Sequence, residues 1–309
     1  MKPKFTNKNN QTNQGLNRVK NNPNDEYYTP YDVVEKELSH YKEDFADKVI
    51  YLNCDNPQFS NFFKYFYNNF KALKIKRLIS TYLDQNSATR TDVIAINGEL
   101  QVKQVGLQGN GSFYSPECIR ILNYEADIVI TNPPFSLLRK LLGILKHSGK
   151  KYIIMAPFTA INYKIIFNQF IREHLWLGMM DAAVKFICPD GSKKGVHIIW
   201  LQNFRRMKNK KYEFRYENLE DAPYLTLDNG LINFQSYRDI PKNYYGVFLA
   251  PITIMSYFDY DLFRILWISE YNPYQGQELF KRIACIRKCQ QPPQDLHFQL
   301  GLFDDILKE

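Results

Sequence analysis

The chain has 309 residues, of which 45% are hydrophobic, and this is enough apolar material for a sizeable core. Its formal net charge of +8 favours a polyanionic partner, nucleic acid foremost, or an acidic membrane surface over an acidic protein substrate. No run approaches the roughly 18 apolar residues of a membrane span, and the Asn/Lys-rich start lacks the apolar core of a secretion signal, so we expect a cytoplasmic protein.

The first segment, residues 1–24, holds five Lys or Arg, no acidic residue, many Asn and Gln, and almost no large apolar side chains. Such a composition cannot repay the entropy of ordering the backbone. We predict a flexible basic arm, which either contacts DNA phosphates or is simply a solvated tail.

From Tyr27 onward, short apolar runs alternate with longer segments of helical periodicity. The runs with the length of a buried strand are 48–54, 75–81, 126–132, 150–156 and 175–181. The segments with apolar residues at spacings of three and four are 61–73, 136–148 and 162–174. This alternation predicts an α/β fold with a mainly parallel, helix-covered sheet. The run 195–204 follows a Gly/Lys turn and resembles a late hairpin strand at one edge.

The run 126–136, ADIVITNPPFS, ends an apolar strand on Asn132, Pro133, Pro134 and Phe135. Two consecutive prolines cannot continue a strand ladder or enter a helix interior, and ligands of open parallel sheets bind at the carboxyl ends of the strands. The Asn132 amide oxygen and the Pro133 carbonyl could accept the two N–H groups of an exocyclic amine, which would make its nitrogen more nucleophilic. Phe135 would stack on a flipped base. The alternative is a tight strand-to-helix connection with Phe135 packed inward.

Past Arg205 the sequence becomes basic, aromatic and turn-rich, without alternating strands and helices. Aromatic residues at positions 212, 214 and 216 interleave with basic residues, which are Arg205, Arg206, Lys208, Lys210, Lys211 and Arg215. We predict a separate recognition region, 205–288, that contacts DNA phosphates and reads some bases. A solvated hairpin is the alternative.

The five cysteines are odd in number and scattered, which argues against a disulfide framework and suits a reducing compartment. Cys285 and Cys289 are close in sequence, but no second pair of Cys or His residues stands near them. A structural zinc site needs such a second pair. We therefore predict no metal site.

Several stretches resemble the EcoRI-type adenine-N6 DNA methyltransferases, a family that uses S-adenosylmethionine. In the family's order, they are DEYYTP at 25–30, DKVIYLNCDNPQFSNFFKYF at 47–66, DIVITNPPFS at 127–136, WLG at 176–178 and DIPKNYYGVFLAPIT at 239–253. The resemblance implies a Rossmann-like, S-adenosylmethionine-dependent methyltransferase core over 25–204, with a C-terminal target-recognition region over 205–288. It also implies double-stranded DNA as the substrate, either with a cognate restriction endonuclease acting on the same site or without one.

The resemblance also implies cofactor contacts. The residues of DEYYTP are expected at the methionine end of the cofactor, although a β-turn around a buried tyrosine is an alternative. The residues that follow the first strand are expected in the cofactor loop, which here lacks the glycine-rich pattern of most methyltransferases. The expected contacts are Tyr28, Thr29, Pro30, Asn53, Cys54, Asp55, Asp84 and Asn110.

Two of these contacts differ from the usual pattern or have a plain alternative. Asp84 follows the second strand, where a carboxylate could accept hydrogen bonds from ribose hydroxyls, but an ordinary solvated aspartate fits as well. Asn110, in GNGSF at 109–113, stands where the family usually has an acid that holds the cofactor's adenine amine. An amide can still accept, but without charge, so cofactor affinity could be lower.

The expected reaction is a direct displacement in which adenine N6 takes the sulfonium methyl group, with no covalent enzyme intermediate and no metal. Methylation of RNA or of a protein glutamine is an alternative, because the same acceptors suit any planar NH2 group. A catalytically inactive DNA-binding module is another.

The last segment, 289–309, lies beyond the stretches that resemble the methyltransferases. It contains QLGLF, which resembles the short peptide by which many bacterial DNA-processing proteins bind the replication sliding clamp. Gln299 would be its polar anchor, and Leu300, Leu302 and Phe303 would fill an apolar groove, with a Pro-containing tether before them. A terminal amphipathic turn that packs on its own domain is the alternative.

Overall fold

The computed structural model of the protein describes residues 29–84, 86–187, 193–207, 212–227, 230–269, 273–274, 277–278 and 282–288. The predicted arm, the predicted clamp peptide and the predicted sites at Tyr28, Lys208, Lys210 and Lys211 lie outside these residues. The chain falls into two units, which are Met1–Pro157 with Ala182–Ile198 and Phe158–Asp181 with Ile199–Glu309. The predicted division at residue 204 stays a prediction.

The larger sheet is built from β1 Val49–Leu52, β2 Arg77–Thr81, β3 Thr89–Ile96, β4 Glu99–Gly106, β5 Ile128–Thr131, β6 Lys151–Pro157, β7 Trp176–Ile187 and β8 Lys193–Gln202. Their order is β4-β3-β2-β1-β5-β6-β8-β7. β1 pairs in parallel with β2 and β5, and β5 pairs in parallel with β6. The antiparallel pairs are β2 with β3 and β3 with β4. Because the chain goes from β1 to β2 and later returns to the other side of β1, the topological switch point lies between β1 and β5.

The α-helices of the described chain are α1 Tyr31–Leu38, α2 Asn61–Asn68, α3 Pro116–Tyr124, α4 Leu138–Ser148 and α5 Lys164–Ile171. Short 3-10 turns span Ser39–Phe45, Phe135–Leu137, Phe158–Asn162, Leu219–Asp221, Tyr237–Asp239 and Ile252–Tyr257. Ser60 caps α2 by accepting from two backbone N–H groups of its first turn, and Ser115 caps α3, whose first residue is Pro116. Gly149, with φ of 68°, ends α4 in the left-handed conformation.

The central strands of the larger sheet are fully buried and mainly apolar. Every residue of β1 (VIYL) and of β5 (IVIT) is buried, as continuous apolar runs predict for parallel strands that are covered on both faces. α2 buries Phe62, Phe63, Tyr65 and Phe66. The carboxyl ends of β1 and β5 therefore emerge from a well-packed core.

The second unit contains a smaller sheet. Its strands are β9 Leu225–Thr226, β10 Ile232–Asn233, β11 Phe248–Pro251 and β12 Phe263–Ser269, followed by the pair β13 Pro273–Tyr274 and β14 Gln277–Glu278 and by β15 Arg282–Arg287. The order of the sheet is β12-β15-β11-β10-β9, and β13 pairs with β14. The Tyr212 ring packs edge-on against Phe214, at 4.9 Å between centroids, and against Phe263, at 5.2 Å. Part of the aromatic pattern of the recognition region thus forms a core.

The predicted α/β fold is confirmed, and each predicted strand and helix is present with shifted ends. The prediction that 195–204 lies at an edge is wrong, because β8 lies between β6 and β7, and β7 takes the edge. The hairpin of β3 and β4 was not predicted. β4 is exposed along nearly its whole length, so it lacks the apolar run that marks a buried strand.

Candidate active site

A cavity of about 320 Å³ lies in the first unit, at the carboxyl ends of β1, β2 and β5. It is the place where a doubly wound sheet binds its ligand, because the loops after β1 and β5 diverge at the topological switch point. Of the predicted site residues, those that line the cavity are Thr29, Asn53, Cys54, Asp55, Asp84, Asn132 and Pro134. Residues that are far apart in the sequence are therefore brought to one site.

Asp55 holds the cavity wall together. Its Oδ1 accepts a hydrogen bond from Ser60 Oγ at 2.7 Å, and its Oδ2 accepts one from Thr131 Oγ1 at 2.9 Å. Its backbone N–H donates to Thr81 O at 3.2 Å. Since Ser60 caps α2 and Thr131 ends β5, the carboxylate joins the loop after β1 to the helix that follows and to the strand that carries Asn132.

Asn53 presents a buried acceptor to the cavity. The side chain is 2% exposed, and its Oδ1 has no hydrogen-bond partner in the described part of the chain. A buried amide oxygen without a donor costs free energy, so the arrangement suits a ligand that brings an N–H or O–H group. Cys54, the next residue, is a half-buried free thiol in the same wall.

The corner after β5 presents Asn132 at the cavity. Asn132 Nδ2 donates to Thr29 Oγ1 at 3.2 Å. Pro134 lines the cavity with an extended backbone, φ −52° and ψ 126°, and its carbonyl accepts from Leu137 N at 2.9 Å, which closes the turn that begins at Phe135. Pro133 is buried and Phe135 half-buried, and in the described chain neither lines this cavity.

The segment before α1 enters the same site. Thr29 is 4% exposed and lines the cavity, and its carbonyl accepts from Asn61 Nδ2 at 2.7 Å. Pro30 is the N-cap of α1 and is not among the cavity-lining residues. The structure therefore brings Thr29, but not Pro30, to the site.

The loop after β2 and the GNGSF segment meet at the other end of the cavity. Asp84 lines it, and Asp84 Oδ1 accepts from Asn86 N at 2.9 Å and from Ser87 N at 3.2 Å. Asn110 is exposed and does not line the cavity, because its Oδ1 accepts from Ser112 N at 3.1 Å within its own turn. Ser112 and its neighbour Phe113 line the cavity in its place.

Gly111 makes this arrangement feasible. Its φ of 72° lies in the left-handed region, and a Cβ at this position would stand 2.1 Å from Tyr82 O. Cys118 Sγ also approaches the Gly111 carbonyl at 3.5 Å. The close approach of the two backbones turns Ser112 and Phe113 towards the cavity.

Several residues that line the cavity were not predicted from the sequence. They include Phe59, which is 54% exposed, and Phe62, Tyr82, Ser112 and Phe113, which give the cavity aromatic walls and a further hydroxyl. Phe59 and Phe62 lie inside the stretch 47–66, which resembles the family, and that resemblance could have identified them as cofactor contacts. Ser112 and Phe113 belong to the same GNGSF segment in which Asn110 was the predicted contact.

The predicted DNA-binding residues of the described chain lie in the second unit. Arg205 and Arg215 are exposed. Arg206 forms ion pairs with Glu173 and, at 3.2 Å, with Asp261, so part of its charge is already balanced. Within the described residues, no group of His, Cys, Asp and Glu could hold a metal ion, and no helix is long and apolar enough to cross a membrane.

Comparison with known proteins identifies relatives along most of the chain. The model of the family described as adenine-specific methyltransferase EcoRI matches residues 15–294. The chain is 35% identical over 294 residues to the Type II methyltransferase M.EcoRI of Escherichia coli, covering 83% of this chain and 90% of the relative. It is 30% identical to M.MpnI of Mycoplasma pneumoniae, covering 88% and 91%, and 37% identical to M.MgeORF184P of Mycoplasma genitalium, also covering 88% and 91%. No solved structure matches the chain significantly.

Proposed function

The chain belongs to the EcoRI family of adenine-specific methyltransferases, and we propose that it uses the cavity at the topological switch point to methylate N6 of adenine in double-stranded DNA. It is an enzyme of the Type II DNA methyltransferase kind. The observation that carries the proposal is the position of Asn132, which directly follows β5 and borders the same cavity as Asn53 and Asp84. We place its activity in the cytoplasm.

The cavity suits S-adenosylmethionine as the methyl donor. Asn53 Oδ1 is an acceptor in need of a donor, and the ammonium group and the hydroxyls of the cofactor are donors. We assign Thr29 and Asn53 to its methionine end, Asp84 to its ribose, and Ser112 and Phe113 to its adenine. When bound, S-adenosylmethionine supplies a sulfonium-activated methyl group that adenine N6 can take by direct displacement.

Asn132 and Pro133 would hold the amine that receives the methyl group. The Asn132 amide oxygen and the Pro133 carbonyl are assigned to the two N6 protons, which pulls the nitrogen towards a tetrahedral geometry with an available lone pair. Pro134 stiffens the corner, and Phe135 is assigned to stacking on the flipped adenine. The N6 proton that is displaced leaves to solvent.

DNA binding is assigned to the basic residues of the recognition region, which are Arg205, Arg206, Lys208, Lys210, Lys211 and Arg215. A set of phosphate contacts makes binding fall steeply as salt rises. Changing Arg215 to Gln should therefore weaken binding to all DNA sequences alike and make the salt dependence shallower. The same change should leave cofactor binding as it is.

Product analysis tests the proposed substrate. The full-length protein is incubated with labelled S-adenosylmethionine and, in separate reactions, with double-stranded DNA, RNA and a mixture of proteins, and the methylated product is identified by mass spectrometry. N6-methyladenine in DNA alone supports the proposal. Label in RNA or on glutamine would favour the alternative methyltransferases, and DNA binding without any methylation would identify an inactive module.

We also propose two partners, an endonuclease on the basis of the family and the sliding clamp on the basis of the QLGLF peptide. A cognate endonuclease that cuts the same site would make the enzyme one half of a restriction-modification system. Binding of the sliding clamp by Gln299, Leu300, Leu302 and Phe303 would bring it to newly replicated DNA. A pull-down with the clamp should retain the wild-type chain and lose Leu302→Ala, and equal failure of both would end the clamp proposal.

A further inference from the structure

The Thr29 hydroxyl lies between two side chains of the first unit. Thr29 Oγ1 is 3.2 Å from Asn132 Nδ2 and 3.7 Å from Met155 Sδ. Thr29 is 4% exposed and Met155 is fully buried within β6, so this hydroxyl is largely shielded from bulk solvent. The contact crosses from the segment before α1 to the ends of β5 and β6.

The two hydrogen bonds of the Thr29 hydroxyl favour one orientation of the Asn132 amide. A thioether sulfur carries no hydrogen and can only accept, so the single proton of the Thr29 hydroxyl is directed to Met155. The hydroxyl oxygen is then left as an acceptor on its other side, and an acceptor attracts the NH2 end of the Asn132 amide. If the Asn132 amide were rotated by half a turn, the Thr29 hydroxyl would have to donate to the amide oxygen and would lose its hydrogen bond to Met155, so one hydrogen bond would replace two.

From this we infer that Thr29 is a positioning residue, which turns the Asn132 amide so that its oxygen, not its nitrogen, faces the substrate amine. The inference rests on the proposed role of Asn132 as an acceptor. A donor at that place would repel the N6 protons and leave the lone pair in the ring, so the orientation matters for the rate. Thr29 thus acts on the reaction through Asn132, in addition to its place in the cavity wall.

Backbone hydrogen bonds hold Thr29 and the next residue against two helices. Its carbonyl accepts from Asn61 Nδ2 at 2.7 Å, and Asn61 is the first residue of α2. The next residue, Pro30, caps α1, and its carbonyl accepts from Val34 N at 3.3 Å. The hydroxyl is therefore anchored on two helices, as a group that sets the geometry of another residue needs to be.

The test removes the hydroxyl while keeping the shape of the side chain. Thr29→Val, Thr29→Ser and the control Thr89→Val, a half-buried threonine of β3 away from the cavity, are prepared as full-length protein. The rate of methyl transfer in a single turnover is measured at saturating DNA and S-adenosylmethionine, and the cofactor Kd is measured by calorimetry. We expect Thr29→Val to slow transfer by about 10-fold to 100-fold, a loss clearly larger than any change in the cofactor Kd. Thr29→Ser, which keeps the hydroxyl, should recover most of the rate that Thr29→Val loses, and the control Thr89→Val should react like wild type.

A double-mutant cycle shows whether the effect passes through Asn132. In the Asn132→Ala background there is no amide to orient, so adding Thr29→Val should not slow transfer further. A further loss of the same factor, a wild-type rate for Thr29→Val, or a loss of cofactor affinity as large as the loss of rate would each overturn the inference. Asn132→Ala at the wild-type rate would instead overturn the proposed role of Asn132. If Thr29→Val does not fold, Thr29→Ala replaces it in the same cycle.

Discussion

The cavity wall contains two kinds of polar side chain, those whose hydrogen bonds are made within the protein and those with a polar atom left for a ligand. Asp55 belongs to the first kind, because both of its carboxylate oxygens accept hydrogen bonds from other elements. Asn53 belongs to the second, because its Oδ1 is buried and has no partner among the described residues. The sequence predicted both as cofactor contacts, and only their hydrogen bonds distinguish them.

Because the Oδ1 of Asn53 is buried without a hydrogen-bond donor among the described residues, replacing Asn53 should affect cofactor binding and protein stability in opposite directions. Asn53→Leu, a change to an apolar side chain of similar volume, should weaken S-adenosylmethionine binding about tenfold or more. The free protein should be as stable as wild type or more stable by about 1 kcal/mol, because the buried acceptor is gone. Calorimetric titration and urea unfolding measure the two effects, with Asn123→Leu on the surface of α3 as control. A destabilised protein with normal cofactor binding would contradict the assignment.

The position of Gly111 leaves no room for a Cβ, whereas Gly98, which has a similar backbone conformation, has open space around it and serves as a control. Gly98 has a similar φ, 82°, but nothing lies within 4 Å of the position of its Cβ, whereas a Cβ at Gly111 would collide with Tyr82 O at 2.1 Å. Gly98→Ala should cost about 1 kcal/mol of strain, and Gly111→Ala roughly 2 to 4 kcal/mol together with a loss of cofactor affinity. Thermal unfolding and cofactor titration compare them, and equal costs would show that the Gly111 loop simply moves aside.

At the scale of the elements, the sequence predicted what is buried and missed what is exposed. β1, β5 and β6 are continuous apolar runs, and the periodic segments around 61–73 and 136–148 became α2 and α4. β4 gave no signal because it is solvent-exposed, and the edge position of β7 depends on pairing that a local pattern does not contain. The same limit applies to the site, where Asn132 was found from its place after β5, but Ser112 and Phe113 depend on the turn at Gly111.

An ion-pair cluster joins α3 to the strands β2 and β3. Arg90 donates to Glu125 Oε1 at 2.8 Å and Oε2 at 2.5 Å, and Arg77 and Asp92 complete the cluster. Hydrogen bonding to Arg90, more than the charge of Arg90 and Arg77, lowers the pKa of Glu125 below its ordinary 4.5, although burial opposes the shift. A carboxylate whose pKa is lowered by folding stabilises the protein above the pKa of the unfolded chain, and this contribution is lost as pH falls through the folded value.

Glu125→Gln should therefore lower the free energy of unfolding by about 1 to 2 kcal/mol at pH 7. The difference from wild type should shrink as the pH is lowered from the ordinary carboxylate range through the depressed pKa of Glu125. Urea unfolding at a series of pH values measures it. Glu217→Gln is the matched control, because Glu217 pairs with Lys242 at 3.0 Å but is 61% exposed and should contribute little. A difference independent of pH would contradict the argument.

At the scale of the whole molecule, the two units carry different parts of the proposed activity. The first unit contains the cavity and Asn132, and the described part of the predicted recognition region lies in the second unit. The net charge of +8 suits a polyanionic substrate such as DNA, although charge alone does not select a sequence. The described residues of both units fall within the stretch that matches the EcoRI family model, residues 15–294.

The rate of methyl transfer to DNA by Asn132→Ala in a single turnover tests directly whether Asn132 holds the reacting amine. The control is Asn123→Ala, an exposed asparagine of α3. We predict that Asn132→Ala loses about 2 to 4 kcal/mol of transition-state stabilisation while binding S-adenosylmethionine normally, because one preorganised acceptor is removed from the amine and the cofactor walls stay in place. Asn123→Ala should react like wild type. A rate near wild type for Asn132→Ala would show that the Asn132 amide does not hold the reacting amine.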